Sequence, residues 1–125
     1  ATMAMLNQVV RGIDDPAIAA STRVVLVSVD PARDTVAQLG LYVPYFNPDF
    51  TGVTGEFFTI HALATNLNAA FQKVPGGGDN YTVDHSAYVF LVNPRGDYQG
   101  FFKPPFDAER FRQHYLAVRE LYQDL

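Results

Sequence analysis

The 125-residue sequence contains no cysteine and no tryptophan. Without cysteine, these residues form no disulfide, offer no thiolate to a metal and supply no cysteine nucleophile. Basic residues are few and scattered: nine Lys and Arg against thirteen Asp and Glu leave a net charge of −4. No basic stripe follows a phosphate backbone, so nucleic-acid binding is not expected. No apolar run approaches the roughly 18–20 residues that a membrane span needs, and no signal-peptide pattern opens the chain. The first residue is Ala1 rather than methionine; methionine removal or an upstream segment would each explain it. What is present is core material. Hydrophobic residues make up 48% and aromatics 14%, which argues against disorder, and the length fits one domain.

Hydrophobic periodicity orders the chain. Residues 1–11 read as a helix, with Met3, Leu6 and Val10 at helical spacing and Gly12 as a C-terminal stop. Residues 13–22 read as a loop containing Asp14, Asp15 and Pro16. Arg23–Val29 is β-branched and nearly all apolar, the pattern of a strand buried on both faces. Pro31 breaks it. Asp34 or Thr35 can cap a helix reaching Phe46, which Gly40 and Pro44 should shorten or kink. Phe50–Val53 reads as a short strand. Thr54 is a candidate cap for a second amphipathic helix, Glu56 to Ala69, whose stripe is Phe57, Ile60, Leu63, Ala64 and Leu67. Phe71–Val74 is a candidate extended segment. Pro75-Gly76-Gly77-Gly78-Asp79-Asn80 is a turn-rich loop. Ser86–Val92, the turn Asn93-Pro94-Arg95-Gly96 and Asp97–Lys103 read as a β-hairpin. Asp107 caps a last helix, Ala108–Gln123, with Phe111, Tyr115, Val118 and Tyr122 on one face.

Early α/β alternation followed by a hairpin predicts a single α/β domain with a mixed central sheet and helices on both faces. That order is the C-terminal part of a thioredoxin-like arrangement, which ordinarily opens on an interior strand. Here a helix comes first. A sheet without its interior strand leaves backbone groups unpaired, so residues upstream of Ala1 are expected to belong to the domain.

Few side chains suggest chemistry on their own. Asp30 and Asp34 flank a turn and could pair as carboxylates, but starting that turn and capping a helix or pairing with Arg33 explain them more simply. Met3 and Met5 could suggest thioether ligands, yet their spacing sets them about 160° apart on a helix, and packing explains Met3. His61 and His114 sit in amphipathic helices with no partner one turn away. Gly76-Gly77-Gly78 lacks the ending of a phosphate loop. Asn80-Tyr81-Thr82 matches a glycosylation sequon in form. Ser86 lacks a nucleophile elbow. Phe101, Phe102, Pro104, Pro105 and Phe106 form an apolar cluster, for core packing or for docking if exposed. His85, between the glycine-rich loop and a buried strand, reads either as a hydrogen-bonded strand-end histidine or as a ligand.

Three segments carry a resemblance that decides between those two readings. Val27-Ser28-Val29-Asp30-Pro31-Ala32-Arg33-Asp34-Thr35 is a strand-to-turn signature. Tyr42-Val43-Pro44-Tyr45-Phe46-Asn47-Pro48-Asp49-Phe50-Thr51-Gly52-Val53-Thr54-Gly55 runs from helix into strand. Val83-Asp84-His85-Ser86-Ala87-Tyr88-Val89-Phe90-Leu91-Val92-Asn93-Pro94-Arg95-Gly96 spans a loop and a strand. Together, in this order, they resemble the Sco/SenC family over nearly the whole chain.

The resemblance implies a thioredoxin-like copper protein, exported or periplasmic and membrane-anchored. Such proteins deliver copper to the binuclear site of cytochrome c oxidase, act as thiol–disulfide reductants at that site, or both. It implies His85 as a metal ligand beside the two cysteines of a C-x-x-x-C motif. Those cysteines fall on no residue of this chain and would lie just upstream of Ala1, as would the anchor. Thiolates hold Cu(I), and an imidazole closes a third position. Asp84 could orient that imidazole, though a turn role suits it better. The implied partners are the copper-bearing oxidase subunit and thioredoxin-like reductants. No catalytic residue is implied within these 125 residues, and copper binding by them alone should be weak or absent. A thiol–disulfide oxidoreductase and a cysteine-free interaction module are the alternatives.

Overall fold

A computed structural model describes residues 2–28, 34–72 and 88–121. The chain divides into two compact units, Ala1–Ala62 and Leu63–Leu125. The first unit opens with α1, Thr2–Arg11. Met3, Met5, Leu6 and Val9 are buried on it, and Ile13 follows. Each side chain of this kind contributes about 1.5–3 kcal/mol when fully buried. The Gly12 N–H closes the helix on the Gln8 and Val9 carbonyls.

Residues 13–22 are not all loop. A short helix, α2 (Pro16–Ala20), forms because Asp15 accepts from the Ala17 and Ile18 N–H groups. Proline at the first helical position has no N–H to satisfy. Strand β1 is Val25–Val27, and it pairs in parallel with β2, Thr51–Val53. Helix α3, Val36–Phe46, connects them. Thr35, not Asp34, caps it: the Thr35 hydroxyl accepts from the Gln38 N–H, and the Gln38 side chain accepts from the Thr35 N–H. The helix runs through Gly40 and Pro44 to its eleventh residue rather than stopping early. Pro44 removes one donor, the bond to the Gly40 carbonyl, and Gly40 is exposed, so water can serve that carbonyl.

Leu39 and Val43 are the buried residues of α3, and they face β2. A Cβ at Gly52 would lie 3.0 Å from Val43 Cγ2 and 3.2 Å from Leu39 Cβ. The close approach of helix and strand therefore requires glycine there. Asn47 ends α3 and is buried. Its Nδ2 donates to Asn7 Oδ1 on α1 at 3.1 Å, and its Oδ1 accepts from the Asp49 N–H. Helix α4, Phe57–Gln72, crosses from the first unit into the second. Its capping group is Glu56, whose carboxylate accepts from the Phe58 and Thr59 N–H groups. The expected cap, Thr54, instead has a buried hydroxyl with no hydrogen-bond partner among the described residues. Ile60 is the fully buried member of the expected stripe, and Phe57 and Leu63 are exposed. Phe71, expected in an extended segment with Val74, is still helical, because the apolar spacing of α4 carries on past Ala69.

The second unit holds the hairpin β3 (Val89–Val92) and β4 (Tyr98–Phe102), antiparallel with a bulge between Leu91 and Val92. Its turn is fixed by Asn93 Oδ1, which accepts from the Arg95 and Asp97 N–H groups, and by Gly96 at φ 85°, a conformation that favours glycine. Pro104–Pro105, joined by a cis peptide bond, leads to α5, Ala108–Leu121. Asp107 caps α5 through the Arg110 N–H. Phe111 and Tyr115 are its buried residues. Phe102 stacks on Phe111 with ring centroids 3.9 Å apart, and Phe106 meets Phe111 edge-on. Phe101, Phe102 and Phe106 of the expected cluster are half-buried and pack within this unit, whereas Pro104 and Pro105 are exposed. Both strand orientations expected of a mixed α/β fold are present, parallel in the first unit and antiparallel in the second.

Candidate functional site

The polar end of β1 is the best-defined feature near the residues singled out from sequence. Ser28 directly follows the strand and is buried. Its N–H donates to the Val53 carbonyl at 2.9 Å, extending the ladder. Its hydroxyl donates to Asp34 Oδ2 at 2.8 Å. A buried hydroxyl needs a partner, and the carboxylate six residues on supplies it. The bond ties together the two residues that bracket 29–33. Beside it lies an open cavity of about 500 Å³ lined by Leu26, Ser28, Asp34, Gln38, Leu39 and Tyr42. Among the described residues its lining offers one carboxylate, that of Asp34, on a largely apolar wall. Asp34 accepts from Ser28, and its possible partner Asp30 lies outside the described residues.

Among the described residues no group of three His, Cys, Asp or Glu side chains could hold a metal. His61 and His114 are exposed on α4 and α5, as their helical settings predict. His61 stacks on Phe57 at 5.5 Å. Met3 and Met5 are both buried, so packing accounts for Met5 as well as Met3. The ligand candidate His85 lies outside the described residues. So do Asp30, Arg33, Asp84, Ser86, the 75–80 loop, the 80–82 sequon and Tyr122. The described neighbour of His85 on the C-terminal side is Tyr88, which stacks on Phe101 at 5.7 Å and so ties the entry to β3 to the hairpin.

Two features escaped the sequence reading. Ser28, in the middle of an apolar run, was itself the signal: a hydroxyl there demands a partner. The Asn7–Asn47 bond joins residues forty apart, and nothing in local pattern pairs them. Ionisation is perturbed at few places. The Phe58 and Thr59 N–H groups hold the Glu56 carboxyl below its ordinary value despite an opposing desolvation. The Arg112 guanidinium does the same for Glu109. Burial pushes the Tyr98 phenol up.

The arrangement is a thioredoxin-like α/β fold. The crystal structure of copper-bound ScoI from Arabidopsis thaliana superposes with a TM-score of 0.68 at 18% identity, covering 97% of this chain and 74% of that one. The SCO1/SenC family model matches residues 1–118, and the chain belongs to that family. Relatives include SCO1 homolog 1 of Arabidopsis thaliana, 34% identical over 79% of this chain and 29% of its own length. A protein of Stutzerimonas stutzeri named as copper-binding is 35% identical over 70% of this chain and 43% of its own. Human SCO2 is 30% identical over 93% and 46%. The chain thus spans less than half the length of these curated relatives.

Proposed function

We propose that the protein is a copper metallochaperone for assembly of the binuclear copper site of cytochrome c oxidase. The observation that carries this reading is membership of the SCO1/SenC family across residues 1–118. A relative named as copper-binding and a fold neighbour crystallised with copper support it. Copper is the cargo. In this reading two thiolates from a segment outside the 125 residues and the His85 imidazole capture it. The protein then docks on the oxidase subunit that bears the site, and the ligands exchange. One imidazole with no thiolate is a poor site for Cu(I), so the 125 residues alone bind copper weakly or not at all. The working compartment in this reading is the periplasm or another exported, membrane-anchored setting. No helix among the described residues is long and apolar enough to cross a membrane, so the anchor would lie elsewhere.

The thioredoxin-like fold also supports a second reading, a thiol–disulfide oxidoreductase, which needs the same thiolates but not the imidazole. Replacing His85 in the full-length protein separates the two. Copper affinity, measured by competition with a Cu(I) chelator, should fall at least about tenfold in His85→Ala, while thiol exchange with a small disulfide persists. Unchanged copper affinity in the variant would remove His85 from the site. Thiol exchange that persists while copper affinity is unchanged would favour the oxidoreductase.

A further inference from the structure

The outer face of α3 is an apolar surface that no other element covers among the described residues; Tyr45 meets only Phe46, on the same helix, edge-on at 5.3 Å. From Thr35 to Pro48, fourteen consecutive residues carry no charged side chain, although the 125 residues together have a net charge of −4. Leu39 and Val43 turn inward. Leu41 and Tyr45, one turn apart, stand 82% and 84% exposed, and Val36 is 76% exposed. An amphipathic surface helix would present polar residues here.

Gly40 adds an independent observation. Glycine inside a helix costs stability relative to alanine, and the usual compensation is close packing. Here an added Cβ would meet nothing within 4 Å. Among the described residues nothing accounts for the missing side chain. Close approach by a second molecule would. Gly40 and Pro44 border an open groove of about 450 Å³ that continues to β2.

Ridge and groove lie side by side on one helix. Leu41 and Tyr45 follow Gly40 and Pro44 by one residue, a rotation of about 100°. A two-fold axis beside an antiparallel pair of such helices sets the ridge of each into the groove of the other. This self-complementarity is what an isologous contact requires. Absence of charge lets two copies meet there with no like charges opposed. Exposed side chains of this size offer on the order of 500 Å² per copy, and about 1,000 Å² in all is the lower limit for a specific interface.

We infer that α3 is the contact of a weak, reversible homodimer, with Leu41 and Tyr45 of each copy seated over Gly40 and Pro44 of the other. This does not depend on the copper reading. Sedimentation equilibrium of the full-length protein from about 5 to 500 μM tests it, since a contact this small implies a dissociation constant in the micromolar range or weaker. The expected result is a monomer–dimer equilibrium that added salt does not weaken, because no charged side chain lies in the contact. Tyr45→Glu should raise the dissociation constant at least about tenfold. Gly40→Gln should do the same while its Tm stays at or above that of the unmodified protein, which separates a blocked contact from a damaged fold. A monomer throughout the range overturns the inference, and leaves the face to a different protein. A dimer that survives both substitutions, or an open series of larger oligomers, overturns it equally.

Discussion

Two hydroxyl groups stand out among the side chains because they are buried without a partner. Thr54 Oγ1 and the Tyr98 phenol oxygen each lack a hydrogen bond to any described residue. Burying a polar group without compensation costs about 1–3 kcal/mol. Tyr98 keeps the benefit of its ring, which packs against Phe90 at 6.2 Å, and Tyr98→Phe retains that ring while removing the orphaned oxygen. Tyr98→Phe is therefore expected to raise stability by up to about 1 kcal/mol, read as a higher midpoint in urea with an unchanged slope. Thr54→Val, nearly the same in shape, should move the midpoint the same way. A fall in the midpoint of either variant would mean that the oxygen has a partner that stabilises the fold. The opposite case is Ser28, whose hydroxyl is equally buried but satisfied by Asp34. Of the three, only Ser28 lies in an apolar run, where a hydroxyl signals the need for a partner; Thr54 and Tyr98 stand among polar neighbours in sequence, and their burial comes from positions that only the folded structure brings together.

At the level of helices and strands, end groups decide more than propensities. Helix α4 starts where Glu56 places its carboxylate on two backbone N–H groups. Those bonds favour the charged form, so the folded-state pKa lies below the ordinary 4.5. A depressed pKa contributes stability that is fully present above the unfolded value and is lost as pH falls through the folded one. Glu56→Ala should therefore have a lower Tm than the parent at pH 7. The gap should hold down to about pH 4.5 and then narrow on further acidification. A gap that stays constant to pH 2 would assign the effect to helix propensity instead of the carboxylate. The capping residues Thr35 and Asp107 were legible in sequence because each is a short polar residue just before an apolar helical pattern. Glu56 was not, since glutamate reads as a first-turn residue and Thr54 is the better cap by type. Helix α2 was missed for a related reason: five residues carry no periodicity, and Asp15-Pro16 reads equally as a loop. Helix α3 reaches Phe46 as expected, without the shortening that Gly40 and Pro44 favour by propensity. Burial of Leu39 and Val43 against Gly52 overrides them.

For the molecule as a whole, the strand pairing bears on the proposed copper site. Among the described residues each sheet has two strands, and a two-stranded sheet is marginal by itself. In β1 the Val24 carbonyl and the Ser28 N–H point to β2. By alternation, the backbone groups of Val25 and Val27 point to the opposite edge, where no described strand lies. These are apolar, β-branched positions, and an open edge of that kind invites pairing. The class of fold was visible in the order of helices and strands. Of the proposed site, the family resemblance offers His85, which lies outside the described residues, while the thiolates proposed beside it fall on no residue of this chain. The open edge links the two. If the protein continues upstream into the strand and cysteine motif expected from the sequence, that strand has a place to pair. Amide hydrogen exchange then gives a specific outcome. In the full-length protein the Val25 and Val27 amides should exchange at least about tenfold more slowly than in a fragment cut to these 125 residues. The Ser28 amide, already bonded to Val53, should change less. Equal exchange at Val25 and Val27 in both would leave the edge open in the whole protein, and the thiolates of the proposed site would have to approach His85 from a segment outside the sheet.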